Sequence, residues 1–80
     1  MIADFRAAAE AFRALGGTQP PTATCSAEYY DRLKATLGFT DAQMAAGTPI
    51  LDNASITRVG GQAAPAILTG GIPYTSLTNG

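Results

Sequence analysis

Eighty residues with 46% hydrophobic and 14% charged positions and a net charge of −1 make one domain at most. Five basic side chains, Arg6, Arg13, Arg32, Lys34 and Arg58, are a thin footprint for nucleic acid, where affinity comes from clustered Lys and Arg neutralising phosphates. The chain has no histidine and one cysteine, Cys25, so it lacks the usual catalytic base, the commonest zinc ligand and an internal disulfide. So short a chain, without disulfide or metal, is expected to gain stability by association.

Residues 3–15 predict a helix, because Ile2, Phe5, Ala9 and Phe12 recur at spacings of three and four with Leu15 beside them. Gly16-Gly17 ends it. Thr18 to Thr22, with Pro20 and Pro21 adjacent, predict a stiff extended linker within residues 16–24. Ser26 is the expected N-cap of a second helix, Ala27 to Leu37, with Glu28 and Asp31 early, Lys34 late and an apolar stripe of Tyr30, Leu33 and Leu37. Gly38 supplies its left-handed stop. Thr40 and Gln43 then form a capping box flanked by Phe39 and Met44 at the positions of a hydrophobic staple, which predicts a third helix from Asp41 to Ala46. The two later helices make an αα corner.

After Pro49 the helical period disappears. Ile50 to Val59 carries β-branched residues in partial alternation, and Gly60-Gly61 and Gly70-Gly71 fall where hairpin turns could sit. Pro65 and Pro73 argue against central strands, since each removes a ladder donor. Val59 to Gly80 has no charged side chain, yet it is apolar. A disordered tail normally stays in water because it is charged and poor in apolar residues, so this segment should be covered. The expected fold is mainly α, two to three short helices in residues 1–58, followed by an extended or short-stranded C-terminal arm over 59–80. The alternative is a small α+β fold.

The candidate chemistry is sparse. Cys25 precedes a helix, but with no base to activate it the expectation is a small, semi-buried residue without reactivity. Asp4, Glu10, Glu28, Asp31, Asp41 and Asp52 lie mostly in first helical turns and exposed faces, so helix solvation accounts for them. The glycine doublets lack the following helix and basic residue of a phosphate loop. No catalytic, cofactor-binding or metal-binding residues are therefore assigned. Partner contacts are expected at Ile67, Leu68, Ile72, Tyr74 and Leu77, with Tyr29 as an amphipathic addition.

These features point to a non-enzymatic structural or interaction protein. Its concrete form is a small accessory component of a viral or phage-like particle, a decoration, cement or head-to-tail protein. Its partners would be protein subunits, copies of itself among them, with no small-molecule substrate, no nucleic acid and no membrane. The N-terminus lacks the basic flank and apolar run of a signal peptide, so a virion or host-cytoplasm location is expected. The alternative is a small cytoplasmic regulatory or DNA-associated module built on the αα corner, although Asp41 to Ala46 offers one glutamine and no positive charge for base reading.

Overall fold

A computed structural model of the chain describes residues 1–72 with their side chains and the backbone of 76–78. The three expected helices are present: α1 (Ile2–Ala14), α2 (Ala27–Leu37) and α3 (Asp41–Ala46), followed by a single 3-10 turn at Pro49–Leu51. Local chemistry sets their ends as expected. Ser26 accepts from the Tyr29 amide at 3.2 Å, and the Thr40–Gln43 capping box closes in both directions at 2.8 and 3.2 Å. Gly38 ends α2 at φ 67°, a conformation that costs a side chain with Cβ. At Gly47 the reason is space as well as φ: a Cβ there would lie 2.6 Å from the Asn53 carbonyl oxygen.

The fold class differs from the mainly α expectation, and the α+β alternative is the one that fits. Four strands, β1 (Thr22–Ser26), β2 (Ser55–Val59), β3 (Ala66–Thr69) and β4 (Ser76–Thr78), form one mixed sheet in the order β2-β1-β3-β4. β1 pairs in parallel with β2 and antiparallel with β3, while β3 pairs antiparallel with β4. Thus the end of the expected linker is an interior strand. The prolines do stiffen the approach to it, but the next residues, Thr-Ala-Thr-Cys, alternate with a period of two and find both neighbours far along the chain.

The expected arm is corrected for the same reason. Residues 66–69 lie against β1 of the same chain, with Ala66 and Leu68 fully buried. Pro65 does not prevent this, because it sits just before the ladder and its carbonyl accepts from the Ser26 amide at 3.0 Å. Gly60-Gly61 is not a hairpin turn either, since β2 and β3 lie on opposite sides of β1. The connection 60–65 crosses the end of β1, where Gln62 Nε2 donates to the carbonyls of Thr24 and Ala64, each at 2.9 Å.

One hydrophobic core holds helices and sheet together. Phe5 and Phe12 from α1, Tyr29, Tyr30 and Leu33 from α2, and Met44 from α3 meet Ala23, Cys25, Ile56, Ala66 and Leu68 from the strands. Register explains why these strand residues converge: Ala23 is level with both Ile56 and Leu68, and Cys25 is level with Ala66, so all five lie on one face. Leu15, expected on the apolar side of α1, is 51% exposed because the helix ends at Ala14 and the chain turns away through Gly16.

Candidate interaction surface

The alternation that sends one set of strand residues into the core sends the other set outward. Thr22, Thr24 and Ser26 of β1, Ser55, Thr57 and Val59 of β2, and Ile67 and Thr69 of β3 share the opposite face. None carries a charge. The register makes a row across the sheet, Thr57 beside Thr24, Thr24 beside Ile67, and Ile67 level with Leu77, with Ser55, Thr22 and Thr69 in the next row. Thr22, Thr57, Val59 and Thr69 are exposed, Val59 at 36%, whereas Thr24 and Ile67 are half-buried. Ser55, at the start of the edge strand, is tied to α3 by a 2.7 Å hydrogen bond from its hydroxyl to the Ala45 carbonyl. The helices bury their apolar stripes in the core on the other face.

The residues expected to contact partners separate into several places. Ile67 is on the open face. Leu68 is fully buried in the chain's own core, and Ile72 is half-buried against that core. Tyr29 is only 7% exposed, and its hydroxyl donates to the Met1 carbonyl at 3.4 Å. Leu77 is in register with Ile67 through the backbone of β4, and Tyr74 lies outside the described residues. The signal for the open face was the threonine alternation in 22–25, which reads as a surface only once β1 is recognised as a strand.

A hydrogen-bonded charge cluster sits at the αα corner. Tyr30 Oη and Lys34 Nζ both donate to Asp41 Oδ1, at 2.8 and 2.9 Å. The Lys34 and then the Tyr30 hydrogen bond hold the Asp41 carboxyl below its usual range. Burial, followed by that same bond, pushes Tyr30 up to about 12, and burial likewise raises Tyr29 to about 12. Lys34 is thus engaged with an acidic side chain on the second helix of the corner. Arg58 reaches Asp31 through two bonds of 3.1 and 3.3 Å, an exposed pair on the rim of the sheet. Cys25 is fully buried and desolvation lifts its thiol to about 12, so the thiolate that any nucleophilic or ligating role requires is suppressed.

Among the described residues, no group of three or more His, Cys, Asp or Glu is placed to hold a metal ion, and no helix is long and apolar enough to cross a membrane. Neither family models, nor curated proteins, nor solved structures provide a match to this chain.

Proposed function

We propose that this chain is a non-enzymatic interaction protein that docks the open face of its sheet onto a neighbouring subunit, as an accessory component of a viral or phage-like particle. The observation that carries the reading is the chemical contrast between the faces: the outward rows at 22, 24, 57, 67 and 69 are charge-free, hydroxyl-rich and partly apolar, whereas the apolar stripes of the helices pack on the other face. An uncharged sheet face suits docking because it can be desolvated without stranding an ion. The particle context rests on the low proportion of charged residues, 14%, and on the uncharged outward rows of the sheet.

The test is co-expression of the full chain with the proteins encoded by neighbouring reading frames, followed by sedimentation. The wild type is expected to travel with assembled particles. The variant Thr57→Lys/Thr69→Lys, altered at two exposed positions, is expected to keep its thermal melt yet remain in the supernatant, because docking would bury two unpaired ammonium groups. A folded variant that still sediments with particles would remove the open face from the interface. A wild type that never sediments with them would end the accessory-component reading.

A further inference from the structure

We draw no further inference here: the strongest candidate, the cleft between the first turn of α2 and the 60–65 connection, lined by Ser26, Glu28, Tyr29, Arg32, Ala63 and Pro65, carries nothing, because it is a helix N-terminus at which Glu28 offsets Arg32 and nothing in the structure shows what covers it.

Discussion

The two faces of the sheet are built from the same strands and behave as different materials. On the inner face Ala23, Cys25, Ile56, Ala66 and Leu68 are buried under the helices, while their immediate neighbours Thr22, Thr57 and Thr69 are exposed. A single peptide unit separates core from surface, which is the physical meaning of a period of two. The difference teaches where this protein keeps its stability and where it has surface to offer.

Both faces depend on the interior strand β3, whose removal should have the largest effect. Truncation after Arg58 takes away β3, an interior strand, with Ala66 and Leu68, and opens one edge of β1. The expected result is loss of the whole cooperative fold, helices included. Circular dichroism showing native helicity and a cooperative melt would place the stability of α1 and α2 in the helices themselves.

A gentler comparison uses adjacent residues of β3. Leu68→Ala, inside the core, should cost about 2–5 kcal/mol in denaturant melts. Thr69→Ala, one residue on and facing outward, should stay within about 0.5 kcal/mol. Equal effects would contradict the assignment of faces.

The same contrast has a pH signature. Cys25, Tyr29 and Tyr30, all in the core, have folded-state values raised by burial to about 12, against ordinary values of 9.0 for the thiol and 10.0 for the phenols. The unfolded chain therefore loses these protons first, so the stability they confer is present below pH 9 and declines as pH rises toward 12. Cys25→Ala should flatten the lower part of that decline in urea midpoints measured across the range. An unchanged profile would mean that the thiol is not desolvated. Asp41 works in the opposite sense, because its lowered value makes its contribution fade as pH falls through the carboxylate range.

Smaller effects belong to the helix ends and the rim. Thr40→Ala removes the capping side chain of α3 and is expected to cost about 1 kcal/mol in denaturant melts. A double-mutant cycle on Asp31 and Arg58, each more than half or about half exposed, should return a coupling of about 0.2–1 kcal/mol that shrinks with added salt. A coupling that survives high salt would make the pair part of the inner layer.

The helical elements are legible from the amino-acid order alone, because their signals are local. Ser26, Thr40 with Gln43, Gly38 and Gly47 each meet a backbone group or a turn within a few residues, and the spacing of Phe5, Ala9 and Phe12 needs no knowledge of what they pack on. Of the surface, the charge-free run after Val59 and the apolar character of Ile67 were legible. The sheet, by contrast, emerges only in the folded chain. Thr22–Ser26 is five residues with no turn of its own, and its status as an interior strand depends on partners at 55–59 and 66–69 that no local pattern specifies. That pairing turned an expected linker into the spine of the fold and sent Leu68 inward and Ile67 outward. It also created an open face whose residues lie far apart in the chain. Helix signals are written within a turn, whereas strand hydrogen bonds and the surfaces they define exist only between distant segments.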